Sequence, residues 1–159
     1  MTPVATVRPL LGVVNTLQSH LDGLRAAVNS VDPAATDGTD AAELVRIGVA
    51  LERFGASLRT RFALRVEVTG AFSETGHKHA AGWLAGVSGE SVGQAHDVLK
   101  TAARLAEAPL VEQAFKDGKL SLSQAGVAAS AGAIDPSAQR GLVRTATSGS
   151  MKRPCTYGG

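Results

Sequence analysis

From Leu10 onward, apolar residues return at alternating steps of four and three: Leu10, Val14, Leu17, Leu21, Leu24, Val28 and Val31. This spacing places seven side chains on one seam of a helix. Pro9 suits the first helical turn, where its missing N–H costs nothing. Gly12 and Gly23 oppose the helix, each by about 1 kcal/mol relative to Ala, so it needs a partner. The seam is expected to close a bundle within the chain. The alternative is a homo-oligomer zipped through residues 10–31, and a seam this short seldom holds two chains by itself.

The stretch from Asp32 to Thr39 (DPAATDGT) is a linker, because Asp32 precedes Pro33 and Gly38 breaks any helix again. Asp40 is expected to cap a second helix, with Glu43 reaching back to it. That helix should run from Ala41 to about Glu74, bend near Val66–Gly70, and bury Leu44, Ile47, Leu51, Phe54, Leu58 and Phe62. Arg46 and Arg53 share one face and Arg61 and Arg65 share a turn. Glu residues lie beside both groups, so they read as a solvated face rather than a nucleic-acid stripe.

The stretch from Gly76 to Ala125 organises the remainder. Gly76 ends the long helix. A short helix from Lys78 to Ala85 follows, with Trp83 and Leu84 as its buried anchors, and Val87 to Glu90 form a turn. Ser91 with Gln94 makes a capping box. The helix it opens offers Ala95, Val98, Leu99, Ala102 and Leu105 to a core and leaves Gln94, His96, Asp97, Lys100 and Arg104 outside. Pro109 fits a first helical turn, Leu110, Val111, Ala114 and Phe115 make a short amphipathic turn or two, and Gly118 stops that segment. Ser121 with Gln124 is a second capping box, thirty residues after the first, and opens a helix to about Ala133. The two boxes are either an internal repeat of helical hairpins or two independent caps, and the second reading is simpler. Asp135-Pro136 starts a last helix to about Thr147. Residues 148–159 read as a disordered basic tail. The fold class is therefore all-α: one or two long helices plus short helical hairpins. The expected divisions are 1–39, 40–147 and 148–159.

Composition agrees with helices. Aromatics make up only 4% of 159 residues, so a core must be built from Ala, Val and Leu, which favours close helix packing over a sheet sandwich. A formal net charge of +2 is too small to declare a polyanion partner, although Lys119, Arg140, Arg144, Lys152 and Arg153 face only Asp135 in the last quarter. The lone Cys155 makes no internal disulfide, so a reducing cytosol is expected. No run is long enough for a membrane span or a signal-peptide core.

The segment from Trp83 to Leu99 passes part of a helix-turn-helix test. Ala85 is followed four residues later by Gly89, and Ala95 and Val98 fall where the second helix would pack on the first. Glu90 departs from the pattern, which calls for an apolar residue there. The second helix would present Gln94 to adenine and Lys100 or Arg104 to guanine or phosphate, beside His96. Asp97 and Glu107 dilute that face. Many helical hairpins share this pattern without touching DNA. His77, His79 and His96 have no Cys or carboxylate at a familiar zinc spacing and read as polar histidines at helix entries. No nucleophile elbow, phosphate loop or carboxylate pair is present, so neither a catalytic residue nor a cofactor is expected.

Gly76-His77, the Ala-Ala-x-Trp-Leu-Ala run at Ala80–Ala85, Ala103-Arg104-Leu105, Ala108-Pro109 and Gly118-x-Leu120-Ser121-x-x-Gln124-Ala125 occur in one order. In these pieces, and in the long helix before them, residues 40–147 resemble the actinobacterial domain of unknown function 222 family, the thirteen-E-twelve repeat proteins of mycobacteria. His79 stands where that family commonly has a small hydroxyl residue. The resemblance implies a DNA-linked role, because family members often carry a C-terminal HNH-type endonuclease module. No residue here matches that module, so the chain is expected to be a non-catalytic, truncated or frame-shifted copy. The candidate DNA contacts are Gln94, His96, Lys100, Arg104, Arg140 and Arg144. The candidate structural anchors are Trp83, Leu84, Pro109, Gly118 and Gln124.

Overall fold

The structure is a computed structural model and describes residues 8–148. The expected basic tail, with Cys155, Lys152 and Arg153, lies outside the described residues, as do residues 1–7. The described residues form seven α-helices and two short 3-10 turns, with no strand among them. The helices are α1 (Arg8–Asn29), α2 (Gly38–Thr69), α3 (Ala80–Ser88), α4 (Val92–Ala106), α5 (Pro109–Lys116), α6 (Leu122–Ile134) and α7 (Gln139–Thr147). The chain divides into two compact units, Met1–Arg46 and Ile47–Gly159, and α2 runs through the division.

In the first unit, α1 continues through Gly12 and Gly23 without a break. The seam expected to be buried is open: Leu10, Val14, Leu17, Leu21, Leu24, Val28 and Val31 are all exposed. The start of α2 also differs from expectation. Its cap is Asp37, whose carboxylate accepts from the Thr39 and Asp40 backbone N–H groups at 2.7 and 3.0 Å. Those N–H groups, Asp40 first, hold the Asp37 carboxyl below its ordinary range. Glu43, freed from capping, pairs with Arg46 at 2.8 Å.

In the second unit, α2 presents the face opposite to the expected one. Ser57, Thr60 and Ala63 are buried and Ala56 packs against the core, while Ile47, Leu51, Phe54 and Phe62 are exposed and Leu58 is half-buried; Leu44, on the part of the helix in the first unit, is exposed as well. The hydroxyl of Thr60 is buried without a hydrogen-bond partner. The helix does not bend and continue to Glu74. It stops at Thr69, Gly70 turns the backbone at φ 70°, and Ala71–Thr75 form a 3-10 turn closed by Gly76 at φ 80°. Only glycine enters that left-handed region without cost.

Two adjoining clusters make the core. One joins Ala63 of α2 to Ala80, Ala81, Leu84 and Ala85 of α3 and to Ala95, Val98 and Leu99 of α4. The other joins Leu105, Val111, Phe115 and Leu120 to Ala125, Ala128 and Ala129 of α6. Leu122 packs against both. Leu84 is buried as expected, but Trp83 is only half-buried at the margin of the first cluster, beside Phe72. The fully enclosed aromatic ring is Phe115. Leu110 likewise stays exposed, one position off the inward stripe of α5.

Local punctuation follows residue chemistry closely. Pro109 opens α5. At its end, Gly118 takes φ 69°, the Gly118 N–H donates to Phe115 O, and the Lys119 N–H donates to Ala114 O. This paired closure satisfies two carbonyls that the helix end leaves open. Both capping boxes form, Ser91 with Gln94 and Ser121 with Gln124. Gln124 does more than cap, since its side-chain amide also donates to Ala146 O at 3.2 Å and ties α6 to α7. Asp135 accepts from the Ser137 hydroxyl and backbone N–H, which hold its carboxyl below the ordinary range and turn the chain into Pro136–Ala138.

Candidate functional site

The α3–α4 hairpin turns in three residues. The N–H of Gly89 donates to Ala85 O at 2.9 Å and its φ of 73° reverses the chain. Helix α3 therefore begins two residues and ends three residues later than expected, because His79 is still extended and Val87 and Ser88 remain helical. Ser91 then caps α4. Ala85, Ala95 and Val98, the positions that the helix-turn-helix pattern requires inside, are all buried.

Glu90 breaks the pattern for a visible reason. Its carboxylate accepts from Arg59 of α2 at 2.7 Å and from the Ser88 hydroxyl at 3.3 Å. Both charged side chains are about two-thirds buried, so the pair fastens the hairpin turn to α2. Sequence spacing does not reveal this, because the partners lie 31 residues apart.

Beyond the turn, α4 and α6 border an open groove of 840 Å³. Their backbones come close where Gly126 meets Thr101: a Cβ on Gly126 would lie 3.3 Å from the Thr101 hydroxyl. Gln94, Lys100 and Arg104 line the groove from α4, with Asp97 among them, and Arg59 and Glu90 stand at its end. Arg104 donates to the Ser130 hydroxyl of α6 at 3.0 Å, which aims its guanidinium across the groove. Lys100 makes no ion pair among the described residues. Formal charge over the groove is close to balance, since Glu90 and Asp97 offset two of its three cations.

Of the six candidate contacts, only Gln94, Lys100 and Arg104 share this groove. Gln94 is already committed: its side-chain oxygen accepts from the Ser91 N–H at 3.0 Å and from the Ser91 hydroxyl at 3.0 Å. Reading adenine needs that oxygen and the amide together, and the cap occupies the oxygen. His96 is exposed but lies outside the groove lining. Arg140 and Arg144 are exposed on α7, which packs on α5 and α6 and not on α4.

No family model, curated protein or solved structure matches the chain. No group of three or more His, Cys, Asp or Glu among the described residues is placed to hold a metal ion. The His77 ring accepts or donates at Thr75 Oγ1, 3.0 Å away, and lies over Gly86 of α3, which accounts for it as a packing residue. Among the described residues, no helix is long and apolar enough to cross a membrane.

Proposed function

We propose that the chain is a non-catalytic helical module that positions duplex DNA through the α3–α4 hairpin, working in the cytosol beside a nuclease of the HNH class. The observation that carries this reading is the three-residue turn at Gly89–Ser91, which delivers a firmly capped α4 with its polar face open. A DNA-reading hairpin needs that geometry: the first helix holds the second, and the second leaves one side free for the groove. Lys100 and Arg104, one turn apart on the open side, supply the phosphate contacts. With Gln94 tied up in the cap and acidic residues close by, sequence discrimination is weak, and binding is mainly electrostatic. The resemblance to a nuclease-linked family points the same way.

The test is the salt dependence of binding to a mixed-sequence duplex. Each phosphate contact adds roughly 0.9 to the slope of log affinity against log salt. Lys100→Ala with Arg104→Ala should flatten the slope by about 2. An unchanged slope in this double variant removes the site, and no binding at low salt removes the function.

A further inference from the structure

Arg104 makes no ion pair among the described residues, yet its guanidinium is anchored. Its Nη1 donates to the Ser130 hydroxyl at 3.0 Å. That hydroxyl spends its one proton on Gly126 O, at 2.8 Å, so it meets Arg104 only as an acceptor. Both bonds have a fixed direction. We propose that Ser130 is a positioning residue for Arg104, and that the held guanidinium takes a DNA phosphate through two parallel N–H groups. The proposal rests on the DNA reading and adds α6 to a site that the hairpin pattern confines to α3 and α4.

The packing of α6 on α4 makes the contact. A Cβ on Gly126 would lie 3.3 Å from Thr101 Oγ1 and 3.5 Å from Thr101 Cγ2, so the missing side chain lets the two helices come close. Ser130 lies one turn beyond Gly126, as Arg104 lies one turn beyond Thr101. One hydroxyl on α6 therefore reaches a side chain that belongs to α4.

An anchored arginine suits a phosphate for two reasons. A guanidinium carries five N–H donors in a planar fork, and Ser130 engages one of its nitrogens. The donors left over match two phosphate oxygens better than a point charge does. A long side chain caught from free solution also loses rotamer freedom, whereas one already held loses less. Lys100, one turn earlier, then contributes charge, while Arg104 contributes charge and direction.

Charge and direction separate in one measurement. The salt slope counts cations in contact with phosphate, and affinity at fixed salt also registers how well each is aimed. Binding of the full chain to a mixed-sequence duplex is measured from about 20 to 200 mM NaCl. Ser130→Ala should weaken binding roughly 3- to 10-fold throughout, with the slope within about 0.2 of wild type. Arg104→Lys should do the same, because it keeps the charge and loses the fork. Ser130→Thr keeps the hydroxyl and should bind as wild type does. In an Arg104→Ala chain, Ser130→Ala should change nothing further.

Wild-type affinity in Ser130→Ala overturns the proposal. So does a loss of equal size when Ser130→Ala is added to Arg104→Ala, which would make Ser130 a packing residue alone. Both results leave the DNA reading standing. A wild-type chain that does not bind the duplex, or a slope that ignores Lys100→Ala with Arg104→Ala, removes that reading and this proposal with it.

Discussion

Helix α1 and the bundle of α3 to α7 use the same few side chains to opposite effect. In α5 and α6, Val111, Phe115, Ala125 and Ala129 are sealed from water. In α1, Leu17, Leu21 and Leu24 stand open, although their spacing is the most regular in the chain. Regular spacing makes a helix amphipathic, but it does not provide a cover for the apolar side. The bundle provides its own cover because its helices are short and joined by tight turns that fold each onto the last.

The sharpest way to expose that difference is to shorten one large apolar side chain in each region. Phe115 is 0% exposed, and Phe115→Ala should cost about 3–5 kcal/mol, a large part of an ordinary domain's stability. In Leu21→Ala the side chain is already half in water, so the bundle's urea midpoint should stay within about 0.5 kcal/mol of wild type. Equal losses would mean that the two regions share one core.

Helix α2 offers a subtler contrast, since its inward face is small and partly polar. Thr60→Val removes a buried hydroxyl that has no partner and should raise stability by about 1 kcal/mol, read by the same denaturation. A loss would show that the hydroxyl finds a partner in solution. Among the caps, Ser121→Ala should cost about 1 kcal/mol, and more than Ser91→Ala, because releasing Gln124 also loosens its link to Ala146 on α7. Equal costs would limit Gln124 to its local role.

Acid should act in the same direction at Asp37 and Asp135, whose folded carboxyls are held below their ordinary range. Their contribution is complete above about pH 4 and is lost as pH falls through the lowered folded value. Asp135→Asn should therefore flatten the acid limb of the stability–pH curve. An unchanged limb would show that the Ser137 contacts do not persist.

What the sequence makes legible is the chemistry that acts over a few residues. Both capping boxes, Pro109 at a helix start and Gly118 at a helix end can be read directly, because each satisfies backbone groups within one turn. The all-α class follows from the same marks. Which side of α2 faces the core cannot be read this way. The apolar row at Leu44–Phe62 is the stronger pattern, yet Ser57, Thr60 and Ala63 are the buried positions. The Asp37 cap is hidden by the competing Asp40 box three residues later. Trp83 misleads because ring size argues for burial, whereas its place on α3 sets it at the cluster's edge. In the candidate site, the sequence brings forward Lys100 and Arg104 but not the Arg59–Glu90 clasp or the engaged state of Gln94, both of which depend on where other side chains fall.

The central claim is that the sealed core lies in the α3–α7 bundle, while the seam of α1 stays open to water. Hydrogen exchange tests this in one experiment. Amides of α4 to α6 around Leu105, Phe115 and Ala125 should exchange slowly, close to the rate of global unfolding, while those from Leu17 to Leu24 should exchange much faster. Protection from Leu17 to Leu24 equal to that around Phe115 would contradict the account.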